Sequence, residues 1–268
     1  MRIILSLTIL VCAMSVHAGV PMIVAHRGAS KRAPQNTVPA FKLAWKLGAD
    51  AIEGDFHVTK DGYIVCIHDG NTKNVATNNL SVKSSTLAEL RTVDIGIKKG
   101  KVWKGFEVTR IPTIAEVFAT IPENKSIYIE LKCGTEIIAP LLAEIKKSGL
   151  KNAQIVVISF DAKVLGSLKE KAPELKVSWL CRFKTNKNSG ESKPSLESLL
   201  KTIEQNKLDA ISSNTGIRQA YVDAITAKGY EWHVWTVNDE KTARKMKARG
   251  VKSITTDVPE KMKKYVAG

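Results

Sequence analysis

The sequence predicts an α/β chain folded as a (β/α)8 (TIM) barrel. Three observations carry this. Eight short apolar runs recur between residues 22 and 256, mostly alternating with segments of helical periodicity. A further run, ending at His68, follows the turn signal Asp61-Gly62 with no helix before it. A parallel neighbour needs a crossover, so that run is the return arm of a β-hairpin after strand two. The chemically most capable side chains then gather at the C-terminal ends of the runs, where barrels of this kind carry their sites.

Strand one is residues 22–26, apolar throughout, as suits a strand covered on both faces. Asn36 or Thr37 caps the next helix, with Pro39 in its first turn, where a missing N–H does no harm. Phe41, Ala44, Trp45 and Leu47 form its apolar stripe, and Gly48 closes it. Strand two is 51–55, and the hairpin occupies 56–68. Residues 69–107 are rich in Asn, Ser, Thr, Gly and Lys, with one short helix signal at 86–90. Long excursions of this sort are usually functional; a loosely packed surface loop is the competing reading. Thr113 caps a helix to 119 or 120, and strand three follows at 127–132. Helix 137–147 stops at Gly149, and strand four is 155–160. Helix 162–170, strand five at 177–181, a polar loop over 184–194 and helix 196–206 come next. Strand six is 210–213, then helix 218–228 and strand seven at 231–237. Helix 239–249 ends at Gly250, strand eight is 253–256, and a lysine-rich helix completes the chain.

The 268 residues, 44% of them hydrophobic, suffice for one large core, and residues 19–268 read as a single barrel domain with an insertion at about 69–107. Residues 1–18 read as a secretory signal: one basic residue, Arg2, an apolar run, and Val16-His17-Ala18 before Gly19. The run is too short for a comfortable membrane span, so the expected product is exported, periplasmic or secreted. Removing that segment leaves Cys66, Cys133 and Cys181, an odd number without zinc-like spacing, read as buried free thiols. The formal charge is +15, or +14 without Arg2. Such a balance favours anionic partners, but the lysines are spread along the chain and no nucleic-acid motif appears.

Glu53 and Asp55 are two apart on a strand and share one face. The hairpin turn sets Asp55 roughly opposite His68. Oxygen donors beside an imidazole make a natural cation site.

These residues carry a resemblance. The chain is similar to the glycerophosphodiester phosphodiesterase family: His26-Arg27-Gly28, Asn36-Thr37, Glu53-x-Asp55, Thr59-x-Asp61-Gly62 and His68-Asp69 stand in that family's order. The match continues through Ile111-Pro112-Thr113, Glu130-Leu131-Lys132, Val234-Trp235-Thr236-Val237-Asn238 and Thr256-Asp257-x-Pro259. The resemblance implies cleavage of a small phosphodiester, a deacylated phospholipid, to sn-glycerol 3-phosphate and an alcohol. It also implies a cap made by the insertion over the glycerol end, with Trp103 and Phe106 in its wall. One position departs: the family usually has Glu before its Asn-Thr pair, and this chain has Gln35, which supplies no charge.

Glu53, Asp55 and Glu130 make a hard-oxygen site suited to Ca²⁺ or Mg²⁺. His26 and His68 are the acid–base candidates. Arg27 and Lys132 suit a phosphate's free oxygens, and Trp235 an apolar wall. His57 and His233 are expected to face other surroundings than His68 and Trp235. Two other readings compete with the diesterase: a lysophospholipase D or sphingomyelinase D-like activity, and a binding protein that turns glycerophosphodiesters over poorly.

Overall fold

The computed structural model describes residues 19–98, 101–106, 108–186 and 191–267. The signal expected over 1–18 lies outside the described residues. Strands are β1 (Met22–His26), β2 (Ala51–Val58), β3 (Ile64–Cys66), β4 (Ile97–Lys98), β5 (Lys101–Val102), β6 (Ser126–Leu131) and β7 (Ile155–Ser159). They continue as β8 (Lys176–Cys181), β9 (Lys184–Thr185), β10 (Ser192–Lys193), β11 (Ala210–Ser213), β12 (Glu231–Val234) and β13 (Ser253–Thr256). Helices are α1 (Val38–Lys46), α2 (Leu87–Leu90), α3 (Ile114–Phe118), α4 (Ile138–Ser148), α5 (Ala162–Lys171), α6 (Leu196–Gln205), α7 (Gln219–Ala227), α8 (Glu240–Ala248) and α9 (Pro259–Ala267).

Eight strands run parallel in the ring β1-β2-β6-β7-β8-β11-β12-β13, which closes where β13 pairs with β1. This is the (β/α)8 barrel. β3 stands outside the ring as the antiparallel arm on β2.

Alternation along each strand builds two layers of core. Ile23 and Ala25 face the helices and Val24 faces the barrel axis. The layer under the helices is the larger, running from Phe41 through Ile129, Leu165 and Trp232 to Met262. The inside of the barrel is filled by Val24, Ala51, Tyr128, Val156, Ile158 and Leu180, with a Ser178–Ser212 hydroxyl pair at 2.8 Å. Caps set the helix starts: Thr37 accepts from the Ala40 N–H on α1, and Thr113 with Glu116 forms a capping box on α3. Gly149, at φ 72°, terminates α4 in the left-handed conformation that a Cβ resists.

The stretch between β3 and α3 packs around its own small core of Val75, Val82, Leu90, Val93 and Ile95 against Val65, Ile67 and Ile111. The Lys60 N–H bonds the Ser85 carbonyl at 2.9 Å, and Asp61 caps Leu87 at 3.0 Å, tying it to the hairpin. The polar loop after β8 holds a two-residue ribbon, β9 with β10. Strand seven is shorter than expected: β12 stops at Val234, although the Trp235 N–H still bonds the Ser213 carbonyl at 2.9 Å and the Val237 N–H the Thr255 carbonyl at 3.0 Å.

Candidate active site

Register brings the carboxylates together. β1 pairs with β2 so that His26 stands beside Glu53, and β2 pairs with β6 so that Asp55 stands beside Glu130. Neighbouring strands are under about 5 Å apart, so inward side chains at those positions must touch. Oxygens of Glu53, Asp55 and Glu130 lie within 4.8 Å of one another, all three buried. Gly54 between them faces outward, where a Cβ would sit 3.0 Å from Cys66 Sγ and 3.2 Å from the Phe41 ring.

Three anions at such range are costly, and only part of the cost is met. The Arg27 N–H donates to Glu53 Oε2 at 2.9 Å, Arg27 Nε stands 3.1 Å from Asp55 Oδ2, and Lys132 Nζ lies 2.8 Å from Glu130 and 3.5 Å from Asp55. Burial, then the Asp55 and Glu130 charges, push Glu53 well above the usual carboxylate range. Burial and Asp55 push Glu130 up to about 7 against the pull of Lys132. Burial opposes ionisation of Asp55 too, but Arg27 and Lys132 outweigh it and hold Asp55 below its ordinary value. Glu53 Oε1 and Asp55 Oδ1 are buried and accept no hydrogen bond from the described residues. Bare, inward oxygens of hard donors in a ring of surplus negative charge fit a divalent cation.

Asn36 fixes the central acid. It sits at φ 59°, a left-handed backbone that asparagine tolerates better than most residues. Its side chain donates to Asp55 Oδ2 at 2.7 Å and accepts from the Asp55 N–H at 3.2 Å. Gly28, at φ 77°, lets the His26–Arg27 loop press on α1: a Cβ there would stand 2.7 Å from the Ala40 backbone.

Each candidate histidine is held through Nδ1 by a carboxylate. His26 Nδ1 is 2.7 Å from Asp257 Oδ1, and Asn238 donates to the other Asp257 oxygen at 2.8 Å. Asp257 resists protonation despite burial: its bond to His26 and the His26 charge bring it down to about 2. His68 Nδ1 is 2.7 Å from Asp69 Oδ1, and Asn74 donates to Asp69 Oδ2 at 2.8 Å. Both rings therefore present Nε2 to the cleft they line with Glu53, Glu130 and Lys132, a cavity of about 220 Å³. Burial lowers the pKa of His68, against the attraction of Asp55.

The far side of the cleft is apolar. Ile158, Phe160, Leu180 and Trp235 line it, with Arg182 at the rim. Trp235 Nε1 donates to the Ser212 carbonyl at 2.8 Å, and Phe160 meets the Trp235 ring edge-on at 5.6 Å.

All eight site residues expected from the sequence, His26, His68, Arg27, Lys132, Trp235, Glu53, Asp55 and Glu130, gather round this one cleft, Asp55 from just beneath it. Four details correct the sequence reading. Asp55 stands opposite Ile67, whose N–H bonds its carbonyl at 2.9 Å, so the hairpin register is one residue short of His68. Trp103 and Phe106 do not line the cleft; Phe106 borders a separate groove with Val38 and Arg110. His233 shares the inward face of Trp235, two residues away, buried against Ser253 at 2.8 Å and the Tyr128 ring at 5.9 Å. Cys133 is only half-buried, whereas Cys66 and Cys181 are buried, and all three are free. Gln35 accepts from Arg27 Nη1 at 3.1 Å and so braces the guanidinium without adding charge. Asp257, Asp69, Asn36 and Asn238 were not singled out as site residues. Their adjacency to Thr256, His68, Thr37 and Val237 inside the motifs was the available signal.

The model of the glycerophosphoryl diester phosphodiesterase family matches residues 26–261. A glycerophosphodiester phosphodiesterase of Caldanaerobacter subterraneus is 34% identical over 89% of this chain and 95% of its own length. A lysophospholipase D of Mus musculus is 27% identical over 91% of this chain and 85% of its own. An Oleispira antarctica phosphodiesterase, solved with its product sn-glycerol-3-phosphate, shares the fold at TM-score 0.79 and 24% identity, covering 93% of this chain and 98% of that one. The chain belongs to the glycerophosphoryl diester phosphodiesterase family.

Proposed function

We propose that the protein hydrolyses glycerophosphodiesters to sn-glycerol 3-phosphate and an alcohol, with His26 and His68 as the acid–base pair. One observation carries the reading: two imidazoles, each anchored through Nδ1, border a single cleft with a carboxylate cluster whose inner oxygens are bare. Glu53, Asp55 and Glu130 would hold a divalent cation, Ca²⁺ or Mg²⁺, which when bound neutralises charge developing on the phosphoryl oxygens. Arg27 and Lys132 orient the phosphate. His68, kept neutral by burial, takes the proton of the attacking hydroxyl. His26, supported by Asp257, gives a proton to the departing alkoxide as the phosphorus–oxygen bond breaks. If that hydroxyl is the substrate's own neighbour, the first product is a cyclic phosphate, and the same pair with exchanged roles adds water and breaks the ring phosphorus–oxygen bond to give glycerol 3-phosphate. The test is release of glycerol 3-phosphate from glycerophosphocholine and glycerophosphoethanolamine before and after chelation. Metal-restorable release supports hydrolysis; chelator-insensitive binding without product supports a binding protein instead.

A lysophospholipase D reading has one observation in its favour. Phe160, 48% exposed at the rim, offers apolar surface to a lipid chain. Turnover of lysophosphatidylcholine faster than of glycerophosphocholine selects it. None of the described helices is long and apolar enough to cross a membrane. The leader-like residues 1–18 support export, which cell fractionation of the tagged protein tests.

A further inference from the structure

The ring order divides the cleft by charge. Both lining acids, Glu53 and Glu130, and the cations Arg27 and Lys132 sit on or beside β1, β2 and β6. β8 is four strands from β1 in either direction around the ring, so Arg182, just past β8, rises across the mouth from His26. Among the described residues, no acidic one lines that half of the cleft. Arg182 is exposed, and its guanidinium lies over the Trp235 ring, 5.2 Å from the centroid. The ring is locked beneath it by the Ser212 carbonyl, and Phe160 closes its edge. An aromatic wall of this kind normally suits a quaternary ammonium. Here a guanidinium already covers the ring face.

We propose that Arg182 sets the head-group preference of this site: the departing alcohol lies along the Phe160–Trp235 wall, and an anionic or uncharged head group is taken over a cationic one. The inference rests on the proposed hydrolysis. Phosphate held near the acids leaves one ester arm to cross towards β8. The arm that ends at exposed Phe160 and Arg182 is the one free to vary in length and charge. Choline or ethanolamine there meets an uncompensated positive charge; a carboxylate or phosphate meets a guanidinium fork.

Three substrates of different head-group charge test this: glycerophosphoethanolamine, its N-acetyl derivative and its N-succinyl derivative, the acetyl one controlling for added bulk without charge. The readout is the ratio of kcat/KM for the succinyl substrate to that for the ethanolamine one. The ratio exceeds one in the wild type. It falls roughly threefold in Arg182→Gln and roughly tenfold in Arg182→Glu, and the effect shrinks with added salt, as for any rim charge. A fall of less than threefold in Arg182→Glu overturns the assignment while leaving hydrolysis standing. Release from none of the three overturns the hydrolysis and this inference together.

Discussion

Glu130→Gln separates the cost of the carboxylate cluster from its use. In the metal-free protein burial and Asp55 raise Glu130 from 4.5 to about 7. A carboxylate raised on folding binds more protons in the native than in the unfolded state, so its stabilising share falls as pH rises from 4.5 to 7. That rise, at about 1.36 kcal/mol per tenfold change in proton affinity, amounts to roughly 3 kcal/mol at neutral pH. Glutamine does not titrate, and its Oε1 still accepts from Lys132. Metal-free Glu130→Gln is therefore more stable than wild type at pH 7 by up to about 3 kcal/mol. At about 2–4 °C per kcal/mol the gap in Tm is roughly 6–12 °C, and it closes towards pH 4.5. Saturating Ca²⁺ or Mg²⁺ shrinks or reverses the order: wild type gains about 2.7 kcal/mol at one hundred times its Kd, and the variant, short of one ligand, gains less. Thermal unfolding with chelator and with metal, at both pH values, reads all four states. A metal-free variant no more stable than wild type at pH 7, or a gap that ignores pH, refutes the reasoning.

Further outcomes follow from the same geometry. His26→Ala and His68→Ala each lower kcat/KM by about 10²–10⁴ with little change in unfolding midpoint; wild-type turnover in both would remove them from the chemistry. Asn36→Ala leaves the Asp55 N–H without its partner and keeps a left-handed backbone, costing about 2–4 kcal/mol by denaturant titration and weakening metal binding. Asp257 is depressed to about 2, so its stabilisation is present above its unfolded value of 3.8 and disappears as pH falls through about 2. Asp257→Asn loses about 2 kcal/mol at most at neutral pH, a gap that vanishes in acid. Binding of the cation displaces protons from the raised acids, Glu130 among them, so its affinity falls below pH 7; calorimetry in buffers of different ionisation enthalpy measures the release.

The barrel was legible because its signals are local. Apolar runs, the caps Thr37 and Thr113, and the turn Asp61-Gly62 depend on residues within a few positions of one another. Glu53, Asp55 and Glu130 were legible because strand alternation and run ends locate them without knowledge of partners. The pairs that orient the histidines were not. Asp257 meets His26 only because β13 closes the ring on β1, across 231 residues. Arg182 and Phe160 follow β8 and β7 in unremarkable sequence, and only the shared mouth gives them meaning. Trp103 and Phe106 misled because aromatic residues in a polar insertion read as a lid, whereas the insertion spends its apolar residues on a separate core behind Val65 and Ile67.

The central claim is that one cation among three acids grips the ester between two rings. Crystals soaked with Mn²⁺ and sn-glycerol 3-phosphate test it by anomalous diffraction. The account predicts a single strong peak bounded by Glu53, Asp55 and Glu130, a phosphate oxygen on it, and Nε2 of His26 and of His68 within hydrogen-bond reach of the phosphate. Metal bound elsewhere, or a phosphate turned away from both rings, contradicts it.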